Sequence, residues 1–248
     1  MRFSARVVAV AALVSAPMAL SAQVVASDAS YTITRSTGHA FNSIAGTGAQ
    51  LVPDMADDAF ASVPIQTFSF YGNVYNTVYV STNGMLAFGA VDVGAVNSNF
   101  STPQLGTPIV AAYWDDLLFD GPAALYGLTV DNVTTIEWNS ALYYFDTNNR
   151  VTFQAIINSA SGVITLNYGD VDGGVFALGA QATVGTKGPS TFALVGHNTS
   201  GTVNSADRLT IAPVGTSTVP EPTTWALMLG GLGAVGFAAR RRRSQSNN

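Results

Sequence analysis

The sequence predicts an all-β protein: a single antiparallel β-sandwich or barrel-like domain, flanked by two terminal segments that do not belong to it. Three observations support this prediction. No segment sustains the 3.6-residue apolar period of an amphipathic helix, whereas alternation of apolar and polar residues recurs along the chain. The alternating segments are rich in Val, Ile, Thr, Tyr and Phe, which suit a pleated sheet. Short turn signals separate them, and about ten strands are expected.

The N-terminal segment has the three parts of a secretory signal peptide. Arg2 and Arg6 give a positive start, residues 7–14 form an apolar run, and small residues follow. We expect cleavage after Ala22 or close to it. Residues 1–22 are therefore assigned to a signal peptide and residues 23–212 to the β domain.

The strands of the β domain follow from period-two alternation. Residues 151–157 and 163–168 each place their apolar side chains on one face, and residues 178–184 show the same alternation. Residues 109–114 are continuously apolar, which is typical of a central strand covered on both sides.

One predicted strand, residues 74–80, carries a candidate ligand face. Val74, Val78 and Val80 share one face by alternation, so Tyr75 and Tyr79 share the other. If that face is exposed, the two tyrosines form a small stacking platform; the alternative is that they are core or cross-strand aromatics.

Turn residues separate these strands. Asn83-Gly84 lies between two apolar segments and predicts a hairpin with a type I′ turn, since both residues tolerate positive φ. Residues 53–58, with a proline and three aspartates, predict a loop.

The C-terminal segment has three consecutive parts after a flexible linker at residues 213–218. Pro220, Glu221 and Pro222 come first. Residues 225–239 are an uncharged, apolar run of about 22 Å as a helix, short of the ~30 Å hydrocarbon core of a bilayer. Arginines follow at Arg240, Arg241, Arg242 and Arg243, before a polar tail at residues 244–248. By the positive-inside rule the arginines keep this end in the cytoplasm and place the β domain across the membrane.

This order of parts resembles the PEP-CTERM sorting signal of Gram-negative bacteria, assigned here to residues 219–243. The resemblance implies a single transmembrane helix held in the inner membrane, an exosortase as partner, and cleavage near the Pro-Glu-Pro motif. It also implies release or attachment outside the cell and an association with exopolysaccharide and biofilm. The alternative is a simple tail anchor behind a proline-containing linker.

The β domain resembles nidogen-like (NIDO) extracellular domains. Residues 70–89 are similar to the opening of that family, and residues 109–116 to its apolar-Trp-Asp segment. Residues 135–138, 151–156 and 162–168 continue the pattern in order. The resemblance covers roughly residues 65–185 and implies a non-catalytic module of matrix and adhesion proteins. It transfers no binding residue, and the cysteine-containing modules that accompany such domains are absent from this sequence.

Composition excludes several functions. The 248 residues contain no cysteine and two histidines, so a disulfide framework, a thiolate metal site or a thiol nucleophile is excluded. Residues 23–219 hold four basic and fourteen acidic residues, a net charge of −10. Such a body repels the phosphates of nucleic acids.

Aspartates supply the candidate metal site. Three of them follow the predicted central strand and two follow a later strand: Asp115, Asp116, Asp120, Asp170 and Asp172. Carboxylates are ligands for Ca²⁺, and a pair of them could act in glycoside hydrolysis. The remaining alternative is that they accept backbone hydrogen bonds at turns. No other cofactor is expected.

Enzyme chemistry finds little support in the sequence. His39 and His197 lie in polar, loop-like stretches, and no Gly-x-Ser-x-Gly motif occurs. The predicted function is therefore a non-enzymatic structural or adhesive role at the cell surface or in the exopolysaccharide matrix. The alternatives are a secreted polysaccharide-acting hydrolase and a glycan- or Ca²⁺-binding module.

Overall fold

The computed structural model describes residues 22–89, 94, 96–101 and 106–215, and these residues form two antiparallel sheets. In chain order the strands are β1 Gln23–Ser27, β2 Tyr31–Ser36, β3 Ala49–Gln50, β4 Phe60–Phe70, β5 Asn73–Ser81, β6 Met85–Ala87, β7 Ile109–Trp114, β8 Leu117–Leu118, β9 Ala124–Val130, β10 Val133–Tyr143, β11 Arg150–Asn158, β12 Val163–Asp170, β13 Thr183–Lys187, β14 Phe192–His197 and β15 Arg208–Pro213. Their one helical element is a 3₁₀ turn at Ala177–Gly179.

The two sheets differ in size. The larger has the order β1-β2-β15-β12-β11-β10-β9-β3, and β8 adds to it by pairing with β10. The smaller has the order β14-β13-β7-β6-β5-β4. The chain crosses between the two sheets after β3, β7, β12 and β14. The first two crossings carry the acidic loops described below.

The main core lies between the sheets. Trp138 of β10 is fully buried, stacks on Phe153 with ring centroids 4.8 Å apart, and donates its indole N–H to the carbonyl of Ser81 in β5 at 2.8 Å. Tyr168 of β12 donates its hydroxyl to the carbonyl of Ala112 in β7 at 2.7 Å. These hydrogen bonds satisfy buried polar groups while joining the two sheets, so the prediction of a sandwich is confirmed.

A second apolar cluster lies on the other face of the smaller sheet. Ile109, Ala111 and Trp114 contribute to it from β7, and Phe100 packs against it from the preceding segment. The indole N–H of Trp114 is bonded to the carbonyl of Gly94 at 3.1 Å. All six residues of β7 are buried, which confirms the prediction of a central strand covered on both sides.

The predicted turn at Asn83-Gly84 is a hairpin of another type. Ser81 pairs with Met85, which leaves a three-residue loop, and of its residues Gly84 alone has positive φ, at 78°. A type I′ turn is therefore wrong here. A type I′ turn needs two central residues of positive φ. The β4–β5 turn has such a pair, Tyr71 and Gly72, with φ of 47° and 79°.

Two further predictions need correction. Residues 178–182 are not in a strand, because a 3₁₀ turn precedes β13 and Leu178 itself has a φ of 59°. Val74 does not share a buried face with Val78 and Val80, since it is 64% exposed. The predicted loop at residues 53–58 is confirmed.

The terminal predictions fall almost entirely outside the described residues. These are the signal peptide, residues 216–218 of the linker, the Pro-Glu-Pro motif, the transmembrane helix and the arginine cluster. Within the described ranges, no helix has the length and apolarity needed to cross a membrane.

Candidate functional site

The candidate site lies where the two crossing loops meet the β5–β6 turn. Asp57 and Asp58 belong to the loop between β3 and β4, and Asp116 belongs to the loop between β7 and β8. One carboxylate oxygen from each of these three residues lies within 4.8 Å of the others. Folding therefore brings together acidic residues that are almost 60 positions apart in the chain.

Asn83 fixes both loops to the turn. Its side-chain amide donates to Asp58 Oδ1 at 2.7 Å, and its side-chain oxygen accepts the N–H of Leu117 at 2.9 Å. Its backbone carbonyl accepts the N–H of Asp115 at 3.3 Å. Asn83 is fully buried, and it therefore holds the two loops at a fixed spacing.

Burial and neighbouring charges raise the pKa of three carboxyl groups at this site. Burial raises the pKa of Asp116, and the charges of Asp57 and Asp58 raise it further. Burial and the charge of Asp58 raise the pKa of Asp57. Burial raises the pKa of Asp115 to about 6, because its carboxyl is almost out of contact with water.

A cleft of about 410 Å³ borders this site. Asp115 and Asp116 line it together with side chains from β10, its following loop and the segment before β13. On the cleft, the rings of Tyr144 and Phe145 are 5.0 Å apart and nearly perpendicular, with exposed fractions of 47% and 76%. The amides of Gln181 and Asn198 also line it.

The five aspartates of the sequence prediction do not form one group. Asp120 makes a two-pronged ion pair with Arg150, with both N–O distances 2.6 Å, and this contact lowers its pKa. Asp170 is the last residue of β12 and Asp172 lies just beyond it, and their carboxylates accept the backbone N–H groups of Asp172 and Ser205, respectively, at 3.4 Å. Asp116 lies instead beside Asp57 and Asp58, and Asp115 lines the cleft next to it.

The sequence predicts a loop at Asp57 and Asp58 and no role for their carboxylates. Two consecutive aspartates after a proline were the signal that could have drawn attention to them. Their position beside Asp116 could not be predicted from the sequence, because it depends on which loops lie at the same end of the sandwich.

The candidate ligand face on β5 is divided between two apolar clusters. Tyr75 packs against Phe88 in the main core, with ring centroids 5.4 Å apart. Tyr79 packs against the second cluster and lies 6.5 Å from Phe60. Both tyrosines are half-buried. A ligand role for them stays a prediction.

The two histidines lie on different elements, and neither lines the cleft. His39 is bonded through Nε2 to the hydroxyl of Ser36 at 2.7 Å. His197 is bonded through Nδ1 to the hydroxyl of Thr183 at 2.8 Å, and burial lowers its pKa.

Two family models match the chain. The model described as NIDO related matches residues 30–221, more than three quarters of the sequence. The chain belongs to the NIDO-related family. This match agrees with the resemblance drawn from the sequence and extends it over the β-sandwich in both directions.

The second family model is the PEP-CTERM protein-sorting motif, which matches residues 218–243. This match includes Pro220, Glu221, Pro222 and the four arginines. The motif implies an exported protein that is anchored in the membrane until an exosortase processes it. No curated protein and no solved structure is significantly similar to the chain.

Proposed function

We propose that this NIDO-related domain is a non-enzymatic structural or adhesive component, displayed at the cell surface or in the exopolysaccharide matrix. The observation that carries the proposal is that the two family matches follow each other along the chain, at residues 30–221 and 218–243, and overlap by only four residues. The material that the sorting motif delivers outside the cell is therefore the sandwich itself. Its excess of carboxylates and its four basic residues suit a hydrated matrix rather than a nucleic acid.

The cleft is the surface that we propose contacts the matrix. Tyr144 and Phe145 present ring surface to solvent, and the CH faces of a sugar pack on such rings. Gln181 and Asn198 lie on the same cleft, and their side-chain amides carry N–H donors suited to sugar hydroxyls. This combination of a few polar groups with apolar surface is typical of ligand sites.

A pulldown on the producer's own exopolysaccharide tests the proposal. We expect the purified full chain to be retained, and Phe145→Ala to reduce retention because it removes the most exposed ring of the cleft. The matched control is Phe60→Ala, which removes a ring that is 59% exposed at the start of β4 and is not among the cleft residues. If the unmodified chain is not retained, the matrix role fails. If both variants lose retention equally, the cleft is not the contact surface.

A secreted polysaccharide hydrolase is the alternative, and one observation favours it. Asp115, with its pKa raised to about 6, has the property of a general acid beside a cleft. Two features favour the non-enzymatic proposal instead. Asp115 Oδ2 is buried, and Asp115 and Asp116 are consecutive, whereas a glycosidase pair flanks its substrate about 5–9.5 Å apart.

Release of reducing ends from the same polysaccharide separates the two functions. A hydrolase releases them, and Asp115→Asn abolishes the release. If the protein is a structural component, neither the unmodified chain nor Asp115→Asn releases reducing ends, whether or not the protein is retained on the polysaccharide. Release that depends on Asp115 would replace the proposed function.

A further inference from the structure

The charged residues that line the cleft are both acidic. Asp115 and Asp116 line it, and in the described part of the chain no lysine or arginine is among its lining residues. The acidic cluster of Asp57, Asp58 and Asp116 lies at its border and adds to the negative potential. Such a field attracts a cationic group and repels the carboxylate or sulfate of an acidic sugar.

Asp115 is a buried carboxylate on this cleft with one oxygen unused. It is only 7% exposed, and its Oδ1 accepts the N–H of Asp116 at 2.9 Å. Its Oδ2 is buried and has no hydrogen-bond partner among the described residues. A buried carboxylate oxygen without a partner is costly, so a donor bound in the cleft would stabilise it.

The two tyrosines close to Asp115 do not supply that donor. Burial raises the pKa of the Tyr113 and Tyr143 hydroxyls, and the nearby charge of Asp115 raises both further, so both stay neutral. The two hydroxyls are bonded to each other at 2.7 Å, and both lie 3.1–3.2 Å from the carbonyl of Phe176, which accepts the remaining proton. The cleft, which Asp115 and Tyr143 both line, is where a donor for Asp115 can bind.

Two aromatic rings line the same cleft as these carboxylates. Tyr144 and Phe145 are 47% and 76% exposed. The faces of such rings pack on the CH faces of sugars, and they also attract a cation that lies within about 6 Å of the ring centre. A metal ion held by carboxylates makes no use of these rings, and an acidic sugar is repelled by the carboxylates. The combination therefore fits a sugar that carries a positive charge.

We propose that the cleft binds a hexosamine unit of the exopolysaccharide whose amine is free and protonated. Asp115 and Asp116 accept hydrogen bonds from the ammonium group, and Tyr144 and Phe145 pack against the sugar ring. This ligand chemistry rests on the proposed function, since it names the sugar that the matrix presents to the same cleft. An N-acetylated unit replaces three charged N–H donors by one neutral donor beside an acetyl group, which weakens the contact with both carboxylates.

Calorimetric titration of the full chain in detergent with two glucosamine tetramers, one with free amines and one fully N-acetylated, tests the proposal. We expect the free-amine tetramer to bind about tenfold more tightly or better at neutral pH, and this preference to shrink as the salt concentration rises. The double variant Asp115→Asn with Asp116→Asn should lose the preference without weakening binding of the acetylated tetramer. Asp131→Asn, which removes one charge at the β9–β10 turn, should keep it. Phe145→Ala should weaken binding of both tetramers.

A further variant guards against a damaged fold. If the double variant does not fold, Asp116→Asn alone, at a partly exposed position, should reduce the preference. The proposal is overturned if the free-amine tetramer does not bind at millimolar concentration, if the acetylated tetramer binds as tightly, or if the double variant keeps the preference. It is also overturned if tetralysine binds as tightly as the free-amine tetramer, since the cleft would then select charge without the sugar.

The outcomes for the cleft and for the matrix role are separable. Retention on the exopolysaccharide without a preference for the free amine overturns the amino-sugar site and leaves the proposed function standing. A preference for the free amine that the double variant loses, without retention on the exopolysaccharide, supports the site and overturns the matrix role.

Discussion

Gly84 combines a positive φ with a complete lack of space for a side chain. A Cβ atom at this position would lie 2.0 Å from the carbonyl oxygen of Tyr113, and φ is 78°. The obstacle is backbone of the buried strand β7, which cannot move away as a flexible side chain can. Gly84 therefore sets the distance between the β5–β6 turn, with Asn83 on it, and the strand that leads into Asp115.

We predict that Gly84→Ala destabilises the protein by more than about 3 kcal/mol, because overlap with a buried strand adds to the strain at positive φ. Gly72→Ala is the matched control. Its φ of 79° is nearly the same, but nothing lies within 4 Å of the added Cβ, so the cost should be about 1 kcal/mol. Denaturant unfolding of both variants measures the difference. Equal costs would show that strain alone matters at Gly84.

At this scale the sequence could predict the kind of residue but not its partners. Asn83-Gly84 was predicted as a turn because both residues favour one locally. The turn type was wrong, because the contact of Gly84 with β7 is a long-range property. In the same way the sequence predicts Asp116 as a candidate, whereas its neighbours Asp57 and Asp58 are identified only from the positions of the loops in the fold.

Among the elements, β10 carries a buried carboxylate with no basic partner. Glu137 is fully buried and accepts four hydrogen bonds. The donors are Ser43 Oγ at 2.6 Å, the Ile44 N–H at 2.7 Å, Asn139 Nδ2 at 2.8 Å and Gln154 Nε2 at 2.7 Å. Two of these donors lie on the long connection between β2 and β3, so Glu137 attaches that connection to the larger sheet.

We predict that Glu137→Gln costs about 2–4 kcal/mol, although the side chains have nearly the same shape. The amide nitrogen donates rather than accepts, so in either orientation it faces two of the four groups that donate to the carboxylate. Hydrogen exchange should show faster exchange of the Ile44 N–H, with strands far from it unchanged. Ser43→Ala removes one donor only and should cost about 1 kcal/mol. Unchanged protection of Ile44 in Glu137→Gln would contradict this role.

Strand β5 shows where period-two alternation fails. Its pairing with β4 shifts register between Pro64 and Phe68, which marks a β-bulge. On one side of the shift, Val78 and Val80 are the β5 residues that pack in the main core. On the other side, Tyr75 packs against that core. Between Pro64 and Phe68, β4 advances by four residues while β5 advances by two, and the face of β5 that meets the core changes across the irregularity. No local pattern in β5 itself records this change.

For the whole molecule, the all-β class and the central strand could be predicted because each depends on local alternation and length. The division into two sheets could not, since it depends on which strands pair across long separations. The strand β15, for example, lies between β2 and β12. The order of strands also decides which loops meet, and therefore where the acidic cluster and the cleft lie.

The last prediction concerns the whole chain during export. The sorting motif implies that the protein is held in the membrane and then processed by an exosortase. Replacing Pro220, Glu221 and Pro222 together by alanine should remove the recognised motif while leaving the apolar run and the arginines in place. We expect the variant to remain in the membrane fraction with its C-terminal peptide intact, whereas the unmodified protein loses that peptide. Intact mass and fractionation measure both. Alanine at residues 216 and 217, just before the matched motif, is the control and should be processed normally. Normal processing of the motif variant would contradict exosortase recognition of Pro-Glu-Pro.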